Sequence, residues 1–139
     1  MTKDKNDDFK KIIKKLESVG FLEKNIGYIE KKIKMIDHEL TKVKITRLKE
    51  RKGGGNEYRI EKLLDEKSQL TNKLNDLKLE KKFIIEAVNS LEGIEKEIII
   101  KFYFKNYSIS DISLNKNYSD RYIREIKKKA IFKLSKYLN

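Results

Sequence analysis

The clearest structural signals lie in SLEGIEKEIIIKFYFKNYSISDISLNKNYSDRYIREIKKKAIFKLSKYLN, which runs from Ser90 to Asn139. Between Tyr122 and Leu138, apolar residues recur every three or four positions, which predicts one apolar face of an α-helix. The other faces of this helix are basic, with Arg121, Arg124, Lys127, Lys128, Lys129, Lys133 and Lys136. Ser119 can cap the helix, because its hydroxyl can accept an N–H of the first turn. Asp120 then lies in that turn, where the helix dipole favours a negative charge.

A much shorter helix is predicted upstream, because Ser108 and Asp111 form an S-x-x-D capping box in front of apolar residues. Residues 115–118 are all that separates it from Ser119, and their asparagines tolerate the left-handed backbone that a tight turn needs. Residues 94–104 supply a further helix with a bulky apolar stripe. A short helix, a brief turn and a long basic helix together predict a helix-turn-helix.

Three segments carry a family resemblance: L-x-x-I-E-K-E-I-I-x-x-F-Y from Leu91, Y-S-I-S-D-I-S from Tyr107, and Y-S-D-R-Y-I-R-E-I-x-x-x-A-I-x-K-L from Tyr118. They resemble region 4 of sigma-70-type factors, and more closely the region-4-like phage transcriptional regulators of the ArpU and RinA type. Those regulators place a Ser before the recognition helix, a β-branched residue four positions on, and an Ala-x-x-x-Leu ending. The matching residues in this chain are Ser119, Ile123, Ala130 and Leu134.

The chain departs from the family pattern at two positions of the short helix. Ser113 stands where the family has a small Ala, and Lys116 stands where it has an apolar residue. We expect Leu114 to take over some of the missing packing. The N-terminal part of the chain matches the family only in its general helical character.

A helix-turn-helix implies a specific set of DNA contacts, because the N-terminal part of its recognition helix enters the major groove. Arginine can pair with guanine, and an acid can accept a hydrogen bond from cytosine. The predicted base contacts are Asp120, Arg121, Arg124, Glu125 and Lys128. The predicted phosphate contacts, which position without specifying sequence, are Lys101, Lys116, Tyr118, Ser119 and Lys127. Tyr122 fits either packing or contact.

Residues 1–90 predict a helical region. An amphipathic pattern begins at Phe9, and Gly20 either breaks this first helix or is carried through it. Two long helical patterns follow. An apolar heptad seam runs from Leu22 to Val43, and a looser apolar face runs from Ile60 to Leu91. Three consecutive glycines in a turn near residues 51–57 permit the chain to reverse between them. We therefore predict an all-α fold. An N-terminal helical, coiled-coil-like region (1–90) contains a long antiparallel helical hairpin and precedes a C-terminal helix-turn-helix bundle (91–139).

The role of the predicted hairpin has two interpretations. The simpler one is a spacer or a surface for homodimer formation, because a lone two-helix hairpin leaves apolar surface in water. The other uses the basic residues Arg47, Arg51 and Lys52 beside the glycines. A flexible basic tip of this kind can touch a phosphate backbone.

Composition narrows the class of protein. The 34 Lys and Arg against 22 Asp and Glu give a net charge of +12, which suits a polyanion such as nucleic acid or an anionic membrane. Mixed acids and bases on the polar faces and the absence of Trp disfavour the membrane. The chain has no Cys and His38 is its single His, so a metal or catalytic role lacks partner residues. We therefore expect no enzymatic activity and no cofactor. We also expect a cytoplasmic location, since no apolar run reaches the length needed to span a membrane.

Two classes of function fit these features. The resemblance implies a transcriptional regulator, an activator of phage or mobile-element late genes in a bacterial cell. Such a regulator binds double-stranded DNA upstream of a promoter and can contact RNA polymerase. The second class is a structural DNA-recognition subunit, such as a phage small terminase subunit. In those the DNA-binding unit more often comes first, so the order seen in this chain favours the regulator. A coiled-coil adaptor that does not bind DNA would require the C-terminal resemblance to be accidental.

Overall fold

The computed structural model describes residues 2–49 and 54–138, and describes side chains for residues 6–46, 48 and 57–138. Within these ranges the fold is all-α, without strands, which confirms the predicted class. The helices are α1 (Thr2–Lys49), α2 (Gly54–Asn89), α3 (Gly93–Ile99), α4 (Ile109–Lys116) and α5 (Asp120–Leu138). The chain continues from α3 as a π-helical segment, Ile100–Phe104.

Helix α1 is one continuous helix of 48 residues, and Gly20 lies within it. The predicted heptad seam is buried from Leu22 to Val43, except that Ile33 is half-buried. Helix α2 begins at Gly54, so the C-terminal half of the predicted turn near residues 51–57 is helical. The predicted basic tip lies outside the described residues, as does the side chain of Arg47.

Two compact units divide the chain. One combines Met1–Leu22 with Glu80–Asn139, and the other is Glu23–Leu79. The predicted boundary at residue 90 stays a prediction, but these units divide the chain elsewhere. The boundaries between the two units fall within α1 and within α2, so each long helix belongs to both units. In the unit with the C-terminal helices, the N-terminal part of α1 buries Ile12 and Leu16, and the C-terminal part of α2 buries Ile84 and Val88.

The unit of residues 23–79 is held by apolar contacts between α1 and α2. Its cluster contains Ile26, Ile29, Ile33, Leu70, Leu74 and Leu77. Beyond this cluster, Lys67 pairs with Asp37 at 2.6 Å and Arg59 pairs with Glu39 at 2.9 Å. As residue numbers rise along α1, those of the partners fall along α2, so the two segments run in opposite directions within this unit.

The other unit contains the three C-terminal helices. Their shared cluster contains Ile98, Ile112, Ile123 and Ile126, with Ile94, Phe102 and Ile109 against it. Further along α5, Ala130, Ile131 and Leu134 are also buried. The ammonium of Lys15, in α1, donates a hydrogen bond to the carbonyl of Leu138 at 2.6 Å. The same α1 segment therefore contacts the C-terminal end of α5.

Candidate nucleic-acid interface

The start of α4 is fixed by the capping box that the sequence predicts. The Asp111 N–H donates to Ser108 Oγ at 3.0 Å, and the Ser108 N–H donates to Asp111 Oδ2 at 3.3 Å. Two N–H groups that a helix start leaves without partners are thus satisfied reciprocally. This fixes where α4 begins and therefore where Ile112 enters the core.

The turn between α4 and α5 is closed by Asn117 and Ser113. Asn117 has φ 59° and ψ 35°, the left-handed conformation that the sequence predicts for an asparagine in this turn. The Tyr118 N–H donates to the Ser113 carbonyl at 3.2 Å. In return, the Ser113 hydroxyl donates to the Tyr118 carbonyl. Ser113, one of the two departures from the family pattern, therefore adds a side-chain hydrogen bond to the turn, a role that the sequence reasoning missed.

The expectation that Leu114 packs in place of an apolar residue at position 116 is wrong. Leu114 is 80% exposed, whereas Ile112 is 1% exposed. Residues two apart on an α-helix differ by about 200° around its axis, so burial of Ile112 turns Leu114 towards water. Lys116 is half-buried, and its ammonium pairs with Glu97.

The start of α5 is capped by Ser119, as predicted. Its hydroxyl accepts the Tyr122 N–H at 3.1 Å, and its carbonyl accepts the Ile123 N–H at 3.1 Å. Asp120 follows in the first turn of α5 and is exposed. The beginning of α5 is therefore held firmly by the turn before it.

The remaining predicted base contacts lie together on the solvent side of α5. Arg121, Arg124, Glu125 and Lys128 are all exposed. The Arg121 side chain is 91% exposed, and its Nε lies 3.5 Å from a Glu125 carboxylate oxygen. Because these residues are three and four positions apart, they share one side of the helix. The five buried residues of α5, all apolar, occupy the other side, in the core.

Two of the predicted phosphate contacts are already engaged within the fold. The carboxylate of Glu97 pairs with Lys116 at 2.6 Å and with Lys101 at 2.9 Å. Only 16% of the Lys101 side chain is exposed. Hydrogen bonds from Lys116 and then Lys101 hold the pKa of Glu97 below its usual value near 4.5. The structure therefore does not group these lysines with the exposed residues of α5.

Lys127, another predicted phosphate contact, is half-buried against aromatic rings. Its ammonium lies 3.8 Å from the centre of the Phe102 ring and 5.5 Å from that of Tyr103. Burial, and then repulsion from Arg124, lowers the pKa of Lys127. A cation over a ring face is attracted by the ring quadrupole, so this lysine has an internal partner.

The last two predicted phosphate contacts, Tyr118 and Ser119, lie at the entry to α5. Ser119 caps the helix, while Tyr118 packs against Tyr122 with ring centres 4.9 Å apart. The two rings are 42% and 44% exposed. They form an exposed aromatic pair beside the first turn of α5. Tyr118 and Tyr122 are four residues apart in the sequence, and this spacing is the signal from which their contact could have been predicted.

Comparison of the chain with protein-family models, with curated proteins and with solved structures found no match. In the part of the chain that the structure describes, no helix combines the length and apolar character needed to cross a membrane. His38 is exposed.

Proposed function

We propose that this chain is a sequence-specific DNA-binding regulator that reads double-stranded DNA with α5. One observation carries the proposal: Arg121, Arg124, Glu125 and Lys128 are exposed together on one side of a helix whose other side is fixed in a core. Both ends of the preceding α4 are held by side-chain hydrogen bonds, at the capping box and at Ser113. A rigid support of this kind is what base-reading side chains require.

Charge supports the same proposal. Between Asp120 and Leu138, seven Lys and Arg accompany two acids. A basic helix on a chain of net charge +12 attracts a polyanion and releases counterions from it. Lys101, Lys116 and Lys127 contribute to this long-range attraction, although each has a partner within the fold.

Base readout in this proposal belongs to the first half of α5. The guanidinium groups of Arg121 and Arg124 can each donate two hydrogen bonds to the O6 and N7 atoms of a guanine. The carboxylate of Glu125 can accept from the amino group of a cytosine. Glu125 also lies 3.5 Å from Arg121, one turn earlier on the same exposed side of α5, so both side chains can reach the same groove.

The biological setting is proposed on the sequence resemblance. A region-4-like helix-turn-helix implies a regulator of phage or mobile-element genes that acts beside a promoter and contacts RNA polymerase. In this role the chain binds DNA as a ligand and catalyses no reaction. A terminase-like packaging subunit shares the DNA-binding geometry and differs in the location of its sites.

Selection of phage and host genomic fragments by the purified chain, at near-physiological salt, tests the proposal. We expect enrichment of a few sites immediately upstream of promoters. Sites beside a terminase gene and away from promoters would favour the packaging subunit instead. Recovery of unrelated fragments that are lost as salt rises would contradict sequence-specific reading, because phosphate contacts alone give that behaviour.

A further inference from the structure

An open apolar groove lies on the surface of the unit formed by residues 23–79. Tyr28 and Met35, both on α1, are 58% and 69% exposed. They are seven residues apart and therefore lie on the same side of the helix. The groove has a volume of about 490 Å³ and is lined by Tyr28, Lys31, Lys32, Met35, Ile36, Glu39 and Glu66.

The core of this unit does not require these two side chains. Its contacts use another side of α1, with Ile26 and Ile29 against Leu74. Single exposed apolar residues are common and need no explanation. In contrast, Tyr28 and Met35 are two large apolar side chains in one groove at a seven-residue spacing. This is the arrangement of apolar residues that packs against a second helix.

We propose that a second copy of this chain covers the groove, with the two α1 helices antiparallel about a two-fold axis at Met35. In this arrangement Met35 of one copy packs against Met35 of the other. Tyr28 of each copy meets Lys42 of the other, because both lie seven residues from the axis. The contact from Tyr28 to Lys42 spans about 21 Å of each helix at 1.5 Å per residue.

Charge complementarity selects the antiparallel direction. Lys32 lies three residues before Met35 and Glu39 lies four residues after it, on the same flank of the groove. The antiparallel two-fold axis therefore places Lys32 of each copy beside Glu39 of the other. A parallel pair would instead place Lys31 beside Lys32 and Lys42 beside Lys42, and like charges facing each other oppose association.

The individual side chains are available for these contacts. Glu39 accepts a hydrogen bond from Arg59 at 2.9 Å and lies 3.8 Å from the ammonium of Lys42 in its own chain. Its side chain is still 40% exposed, and a carboxylate has further acceptor positions. The Lys32 ammonium now lies 4.8 Å from the centre of the Tyr28 ring. In the pair, Lys42 of the other copy takes that place over the ring and frees Lys32 for Glu39. Because the same patch serves both copies, the interface closes at two chains.

Cysteine substitution tests the direction of pairing without interference, since the chain has no native cysteine. With a short bis-maleimide reagent and no DNA, we expect Met35→Cys chains to link to one another. Tyr28→Cys alone should link no faster than the control Leu79→Cys, which is an equally exposed position of the same unit (57%) outside the groove. An equal mixture of Tyr28→Cys and Lys42→Cys should give the mixed product. Rapid linking of Tyr28→Cys to itself would overturn the antiparallel arrangement.

Sedimentation of the charge variants tests the pairing itself. Lys32→Glu and Glu39→Lys should each weaken the dimer by about tenfold or more, because each places like charges together. The double variant should restore most of the lost affinity, while Leu79→Glu leaves it unchanged. Circular dichroism confirms that each variant retains its helical content. A chain that sediments as a monomer at all concentrations up to those used for cross-linking would overturn the proposal. DNA is absent throughout, so the outcome is independent of the proposed function.

Discussion

At the scale of single residues, Glu97 links three C-terminal segments of the chain. It lies on α3 and pairs with Lys101 on the π-helical segment and with Lys116 on α4. Its pKa is lowered, so the folded chain binds fewer protons at this group than the unfolded chain. The stability it supplies is therefore present above the ordinary carboxyl pKa and is lost as pH falls through the lowered value.

Replacement of Glu97 by Gln tests this linkage. We expect Glu97→Gln to lower the free energy of unfolding at pH 7 and to flatten its decline below about pH 4.5. Urea denaturation at several pH values measures both effects. Glu86→Gln is the control, because the side chain of Glu86 is 64% exposed and its carboxylate lies as far as 3.8 Å from the ammonium of Lys82. An equal change in the two variants would contradict a specific role for Glu97.

Asn117 is a second residue whose contribution is local. Its backbone is in the left-handed conformation, which costs most residues about 1–2 kcal/mol. Asparagine tolerates this conformation because its short polar side chain can form hydrogen bonds with the nearby backbone. We expect Asn117→Ala to lower the free energy of unfolding by about 1 kcal/mol, while Asn117→Gly leaves it almost unchanged. Asn115→Ala, within helical α4, should not destabilise. Urea denaturation compares the three variants, and similar losses for both alanine variants would exclude the backbone explanation.

Arg124 provides the residue-scale test of base reading. It is exposed and free of the ion pair that engages Arg121, so its loss should leave the fold intact. We expect Arg124→Ala to weaken binding to the selected site by about 1–3 kcal/mol and to relax preference at one base pair. Fluorescence anisotropy on sites with single base changes measures this. A uniform loss on all sequences would make Arg124 a phosphate contact.

At the scale of helices, α4 shows which surface each residue serves. Ile112 is buried and Leu114 is exposed, so the two positions should respond differently to substitution. We expect Ile112→Ala to cost about 2–5 kcal/mol through the cavity that it leaves. Leu114→Lys should change stability by less than about 0.5 kcal/mol. Thermal denaturation compares the two variants. A large loss of stability for Leu114→Lys would show that Leu114 packs in the fold after all.

Much of this helical arrangement is readable from sequence, because its signals are local. Apolar periodicity predicts α1, α2 and α5, and side-chain caps predict where α4 and α5 begin. Other features depend on which helices meet. The pairing of Lys101 and Lys116 with Glu97 and the seating of Lys127 over Phe102 require α3 to pack against α4 and α5. For the same reason, the sequence predicted phosphate contacts for three lysines that have partners within the fold.

At the scale of the whole molecule, the two compact units suit different tasks. The unit that contains α5 presents the exposed basic face proposed to read DNA. The unit of residues 23–79 carries the groove around Met35 that is proposed to pair two copies. A two-fold pair would supply two copies of α5 and would favour sites composed of two half-sites. The presence of paired half-sites in the selected DNA can therefore be compared directly with the measured oligomeric state.

For a chain with a net charge of +12, the proposed binding to DNA should depend on salt. Two adjacent lysines allow direct contact to be distinguished from general attraction. Lys128 is exposed, whereas Lys127 is half-buried over Phe102. We expect Lys128→Met to make the plot of log affinity against log salt less steep by about 1, because an exposed cation held at the DNA surface neutralises phosphate charge and displaces about one condensed counterion. Lys127→Met should leave the slope nearly unchanged, since the charge that it removes lies over a ring and away from the exposed face. Titrations of the selected site at several salt concentrations give both slopes. A larger fall for Lys127→Met would mean that its side chain leaves Phe102 to reach the phosphate backbone.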